Sequence, residues 1–157
     1  KKALKKFLGI QRRFTKVFSV GKREFYDDYA HHPTEIKAVI NSARQVYKDR
    51  KIICVFQPHR YSRVKSLKNE FASSFKYSDT VVLCPVYSAG EKIKYNFNQD
   101  NFSKLISKKS KTQIINIKNQ KELKSYFKKN LLEDEMIICM GAGSISNWIR
   151  EIGDELK

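Results

Sequence analysis

Within one short stretch, Asp27-Asp28-Tyr29-Ala30-His31-His32-Pro33-Thr34-Glu35, the chain gathers two adjacent carboxylates, a phenol and two imidazoles, a density of polar chemistry that fold stability alone does not require. Pro33 suits the first position of a helix and Glu35 can reach back to free amides, so Pro33, Thr34 and Glu35 read as a helix start that leaves an N-terminus favouring an anion. Capping needs none of Asp28, Tyr29 and His31, which leaves those three as candidates for chemistry. A second stretch, Gln57-Pro58-His59-Arg60-Tyr61-Ser62-Arg63, sets two guanidiniums three residues apart beside an imidazole. If a helix begins early there, Arg60 and Arg63 share a face at its N-terminus. Two such cations repel unless an anion lies between them. A carboxylate or phosphate fits, because a charge-assisted bond to arginine contributes about 1.5–3 kcal/mol. A third stretch, Gly141-Ala142-Gly143-Ser144, reads as a tight strand-to-helix turn at least as readily as a ligand contact. Ser146 stands where the dinucleotide fingerprint would carry its last glycine, and no acidic residue about 20 positions on completes it.

These stretches need a scaffold that brings them together. Phe14 to Val20 and Lys22 to Asp28 alternate as strands about Gly21 and predict a hairpin. After them strands and helices alternate: helix Pro33 to Tyr47, strand Ile52 to Phe56, helix Arg63 to Phe75, strand Thr80 to Val86, helix Gln99 to Ser107, strand Gln113 to Ile117, helix Gln120 to Leu131, strand Glu135 to Met140 and helix Ser144 to Leu156. That order predicts an α/β, Rossmann-like, mostly parallel sheet with helices on both faces, plus the N-terminal β-hairpin. In such a sheet the loops after Asp28, Phe56 and Met140 emerge at one edge, where open α/β sheets collect ligands. Tyr87 to Asn98 is the longest irregular stretch.

Composition narrows the classes. A chain of 157 residues, 41% hydrophobic, is one domain with a real core. No apolar run approaches the roughly 20 residues that span a bilayer, and the expected compartment is the cytoplasm. Cys54, Cys84 and Cys139 lie in apolar runs with neither zinc nor disulfide spacing. His31 with His59 and an uncertain carboxylate is too thin for a metal set. Neither a G-x-x-x-x-G-K-[ST] loop nor a G-x-S-x-G elbow occurs. The net charge of +16 is spread as single lysines and short pairs without a long basic tract, so it reads as a solvated surface. The competing class is a stand-alone basic module for nucleic acid or acidic partners, which predicts salt-dependent retention on DNA.

The strings Gln11-Arg12-Arg13-Phe14, Asp27 to Glu35, Phe56 to Arg63, Val86-Tyr87-Ser88-Ala89-Gly90-Glu91 and Gly141 to Ser146, in that order along nearly the whole chain, resemble the C-terminal domain of the Mur ligases, in the branch that joins L-alanine to UDP-N-acetylmuramate during peptidoglycan synthesis. The resemblance implies a three-domain enzyme. An N-terminal domain binds the UDP-sugar, and a central P-loop domain binds ATP and Mg2+. The third domain positions L-alanine, contacts ATP, and is inactive and without a tightly bound cofactor by itself. Residues 1–13 would then be the end of a central-domain helix and a hinge, and 14–157 the C-terminal domain; the start at Lys1 without methionine looks cut from something longer. By resemblance Tyr29, His31, His59, Arg60 and Arg63 receive L-alanine, and Arg13 and Asp28 face ATP, with the choices Arg12 or Arg13 and Asp27 or Asp28 open by one position. No catalytic residue is assigned within the domain. Ala30 replaces a frequent glycine, and the loop Lys92 to Asp100 matches poorly and has no assigned role.

Overall fold

Strands that read as unbroken apolar runs are strands covered on both faces, and the computed structural model bears this out. It describes residues 12–92 and 97–156. The expected helical end before Arg12, and residues 93–96 of the loop after Glu91, lie outside the described residues. The hairpin is β1 (Thr15–Val20) and β2 (Arg23–Asp28), joined through Gly21 at φ +60°. Then follow α1 (Pro33–Val46), β3 (Lys51–Phe56), α2 (Tyr61–Ser66), α3 (Lys68–Ala72), β4 (Thr80–Leu83), α4 (Gln99–Ser110), β5 (Gln113–Asn116), α5 (Gln120–Asn130), β6 (Glu135–Met140) and α6 (Ile145–Leu156). The sheet order is β1-β2-β6-β3-β4-β5, antiparallel at β1 and parallel elsewhere.

Alternation along each strand divides the core in two. Ile52, Cys54 and Phe56 of β3 with Met136, Ile138 and Met140 of β6 face a layer holding Ile36 and Ile40 of α1, Phe71 of α3 and Phe102 of α4. Ile53 and Val55 with Ile137 and Cys139 face Leu123 and Phe127 of α5 and Ile145, Ile149 and Ile152 of α6. Full burial of each such side chain contributes about 1.5–3 kcal/mol, so the two layers hold the central strands rigid beneath the loops. All three cysteines are free and buried in these layers. Burial pushes the Cys54 thiol up to about 12, and those of Cys84 and Cys139 upward as well.

Three elements differ by more than one residue from the sequence expectation, the first being α4, which runs past the expected end at Ser107 to Ser110. The helix read as Arg63 to Phe75 starts two residues earlier and divides at Leu67, whose φ of −113° and ψ of 27° leave the helical well while its side chain leans on the core. The strand read as Thr80 to Val86 stops at Leu83. Cys84 still donates to the Phe56 carbonyl, but Pro85 has no N–H to continue the ladder.

Candidate functional site

Strands β2, β6 and β3 are neighbours in parallel register, with Asp28 and Phe56 both opposite Met140. Their three outgoing loops therefore stand side by side on one edge of the sheet.

The first loop shows which residues cap and which are left for other work. His32 is the N-cap of α1 and its Nδ1 accepts from the Thr34 amide at 3.4 Å, Pro33 is the first helical residue, and Glu35 Oε2 accepts from the amides of His31 at 3.0 Å and His32 at 3.1 Å. Partial burial works against ionisation of Glu35, yet those two amides hold its carboxyl below the usual range. The His31 imidazole is not part of the cap. Its Nδ1 lies 2.9 Å from the Tyr29 carbonyl and 3.7 Å from Glu35 Oε2. Tyr29 is exposed, with its ring edge-on to His31 at 5.1 Å and the Arg12 guanidinium 4.9 Å above it.

The second loop is held by backbone as well as side chains. Arg60 donates its amide to the Tyr87 carbonyl and Tyr87 donates to Pro58, both at 2.8 Å, a single parallel bridge between His59 and Tyr87. Arg60 precedes α2 rather than lying on its face, and its φ of 69° with ψ of 127° is a conformation that only glycine adopts without strain. Arg63 reaches back from the helix, with Nη1 3.4 Å from His59 Nδ1. The His59 ring stacks on Tyr87 at 5.6 Å and meets His31 at 5.8 Å. Burial first, then the charges of Arg63, His31 and Arg60, lower the His59 pKa and favour the neutral ring. Glu91 ties its loop to α2 by accepting from the Ser62 hydroxyl and amide, and those bonds lower its pKa. Tyr29, His31, His59 and Tyr87 thus form one row of rings, with Arg63 against the third. The Arg60 side chain is exposed beside it.

The third loop is a packed turn. Gln57, buried, accepts the Ile145 amide on Oε1 at 3.0 Å and donates from Nε2 to Ser144 Oγ at 3.0 Å, so it fills the N-terminus of α6 that an anion would otherwise occupy. Gly143 is required by close approach, because a Cβ there would lie 2.5 Å from Gln57 Oε1 and 2.5 Å from Tyr87 Cγ. Ser146 donates to Asp27 Oδ2 at 2.5 Å, which accounts for its departure from the dinucleotide pattern.

The one-position ambiguities resolve into two kinds of surroundings. Asp27 is wholly buried, with Arg12 Nε at 3.4 Å and Arg150 Nη2 at 3.3 Å from Oδ2, and Arg12 Nη2 donates to the Gly141 carbonyl at 2.5 Å. That pair joins the strand to the loop after β6. Arg13 and Asp28 instead line a common cleft of about 310 Å³ with Phe14, Tyr29 and Val39. Asp28 accepts from the Phe14 amide at 2.6 Å and the Ala30 amide at 2.8 Å. Burial outweighs those bonds and raises its pKa. Ala30 is buried and is not among the residues with positive φ, so alanine fits.

Sequence reasoning assigned no role to Gln57 or Tyr87, and held Arg12 only as the alternative to Arg13 at ATP. All three stood inside the strings quoted above, but their work consists of long-range contacts that spacing does not express. Among the described residues no group of three or more His, Cys, Asp or Glu could hold a metal ion, and no helix is long and apolar enough to cross a membrane.

Comparison with known proteins follows the same lines. The profile described as Mur ligase, glutamate ligase domain, matches residues 12–143. Proteins named UDP-N-acetylmuramate--L-alanine ligase from Pelagibacter ubique and Agrobacterium fabrum are 51% and 38% identical over 97% and 100% of this chain. The chain spans about a third of their length, 33% in each case. The crystal structure of UDP-N-acetylmuramate-alanine ligase from Thermotoga maritima superposes with a TM-score of 0.71 at 26% identity, covering 98% of this chain and 32% of that one. A folylpolyglutamate synthase from the same organism shares the fold alone, with a TM-score of 0.63 at 14% identity over 92% of this chain and 31% of that one. With the profile matching well over half of its length, the chain belongs to the Mur ligase family, as the domain that stands C-terminal in those enzymes.

Proposed function

We propose that this chain is the C-terminal domain of an ATP-dependent cytoplasmic ligase that joins L-alanine to UDP-N-acetylmuramate through an acyl phosphate, and that it positions the amino acid and touches the nucleotide. The observation that carries the reading is the meeting of His59 and Arg63 with the Tyr29–His31 pair on one sheet edge, next to the cleft that holds Arg13 and Asp28. An amino acid brings a carboxylate and an amine. Arg63 and Arg60 are permanent donors suited to the carboxylate. Arg63 can donate to His59 only if Nδ1 carries a lone pair, so the neutral His59 ring presents Nε2–H as a third donor.

On the other side, Arg13 meets the phosphates or sugar edge of ATP, and Asp28 accepts from a ribose hydroxyl. ATP and Mg2+ would be held by the central domain. The chemistry left to this domain is positioning, since holding an amine at an electrophile made elsewhere converts a bimolecular encounter into a local one.

The test is a chimera in which this chain replaces the matching third of the Pelagibacter ubique enzyme, to which it is 51% identical. Arg60→Ala and Arg63→Ala should each raise the apparent KM for L-alanine at least tenfold, with the KM for ATP within about twofold. Equal effects on both substrates would refute the carboxylate role, and an inactive chimera that folds would refute the ligase reading.

A further inference from the structure

An amino acid enters such a reaction as an ammonium and attacks as an amine, so a proton must leave its nitrogen before the new bond forms. Resting on the ligase reading, we propose that Nε2 of His31 takes that proton, which makes His31 the general base of the amide-forming step. The assignment comes from hydrogen-bond chemistry. The Tyr29 carbonyl can only accept, so the His31 nitrogen 2.9 Å from it, Nδ1, must carry the hydrogen. In the neutral ring this makes Nε2 the lone-pair nitrogen, and it has no hydrogen-bond partner among the described residues.

The two facing imidazoles are therefore complementary. His59 is fixed by Arg63 with its hydrogen on Nε2, a donor for a carboxylate, whereas His31 is fixed by Tyr29 with a lone pair on Nε2, an acceptor for an amine. Their ring centres are 5.8 Å apart, so both rings stand within reach of the carboxylate and the amine of one amino acid. The charged and titratable groups around His31 are the Tyr29 phenol, the Glu35 carboxylate, His32 beside it, and His59 with Arg63 and Arg60 behind it. Of these, Glu35 is the anion close enough, at 3.7 Å from Nδ1, to support an imidazolium once it forms. That arrangement, a histidine whose tautomer is set on one nitrogen and whose other nitrogen does the work, is the general logic of an oriented base.

The step balances as follows. Nε2 takes one proton from the ammonium, leaving a neutral amine. The nitrogen lone pair attacks the acyl-phosphate carbonyl carbon, the C–N bond forms, and the C–O bond to phosphate breaks. The second proton leaves with phosphate as hydrogen phosphate, and His31 returns its own proton to solvent. No oxidant, reductant or further reactant is needed.

The test compares two acceptors in the same chimera. Hydroxylamine is uncharged at neutral pH and captures an acyl phosphate without needing a base. His31→Asn keeps a donor at the Nδ1 position and removes Nε2, and His31→Gln places a non-basic amide where Nε2 stood. Both should lower kcat with L-alanine about 100-fold or more, in line with the about 10²–10⁴-fold typical of general base catalysis, while hydroxamate formation stays within about threefold. Retained hydroxamate formation also shows that the variants fold. Equal loss with both acceptors, or L-alanine turnover within about threefold of the parent, would overturn the assignment. An unsubstituted chimera that folds but makes neither product would overturn the ligase reading and this assignment with it.

Discussion

Arg60 holds a backbone conformation that an arginine adopts only under strain, and replacing it by glycine separates the demands of folding from those of the site. Its φ of 69° and ψ of 127° are kept in place by the amide bond to the Tyr87 carbonyl and by the return bond from Tyr87 to Pro58, both at 2.8 Å. Neither bond uses the side chain, which is exposed, so its truncation by itself changes stability by no more than about 0.5 kcal/mol. A residue held in such a region costs about 1–3 kcal/mol. Glycine removes that cost but loses about 0.5–1 kcal/mol more backbone entropy on folding. At the midpoints of those ranges the net for Arg60→Gly is a stabilisation of about 1.25 kcal/mol, which at about 2–4 °C per kcal/mol for a chain of this size raises Tm by about 2.5–5 °C. Arg60→Ala keeps a Cβ, and with it the strain, and should melt within about 2 °C of the parent. Thermal unfolding followed by circular dichroism on the three proteins decides the matter. Glycine and alanine variants melting together, or the glycine variant melting lower, would refute the strain argument. In the ligase chimera both variants should lose L-alanine affinity alike, because both lack the guanidinium.

Other outcomes follow from the same contacts. Gly143→Ala places a methyl 2.5 Å from both Gln57 Oε1 and Tyr87 Cγ, and should destabilise by about 1–3 kcal/mol in chemical denaturation. Asp27→Asn discharges a buried carboxylate paired with Arg12 and Arg150; because both arginines keep some solvent contact, the loss should fall at or below the low end of the about 3–5 kcal/mol typical of broken buried pairs. A lowered His59 pKa means that the unfolded chain binds the proton more readily than the folded one. Its stabilisation is full above the ordinary histidine value of about 6.5 and is lost as pH falls through that value toward the folded pKa; His59→Asn should flatten this limb in denaturation curves between pH 7 and 5. With all three thiols buried and Cys54 pushed up to about 12, a thiol reagent should label none in the native state and all three in denaturant.

Legibility varied with the range of the interactions involved. The capping of α1 was readable because Pro33 and Glu35 act within one turn, although His32 rather than a Ser, Thr, Asp or Asn serves as the cap. The doubly covered strands were readable from their apolar runs, and the hairpin from Gly21. The division of the helix at Leu67 was not, because Val64, Leu67 and Phe71 keep helical spacing on both sides of it. Arg60 was read as the partner of Arg63 on one helix face, whereas its backbone is turned away by Tyr87, a residue 27 positions further on. Arg12 and Gln57 carried no local signal, since their partners Asp27, Gly141, Ser144 and Ile145 come from other strands and loops.

By itself the sequence determined the α/β alternation, the two-sided core and the three chemically dense loops, because periodicity, chain turns and helix starts are settled by residues near one another. It also carried the family strings. Only the tertiary structure decided that β6 inserts between β2 and β3 and so makes the three loops neighbours on their common edge. The same packing fixed the hydrogen on Nδ1 of His31 and the lone pair on Nδ1 of His59, sealed the N-terminus of α6 with Gln57, and sorted Asp27 into the interior and Asp28 into the cleft. The reason is that burial and hydrogen-bond direction depend on which groups far apart in the chain become neighbours, and a linear pattern holds no record of that.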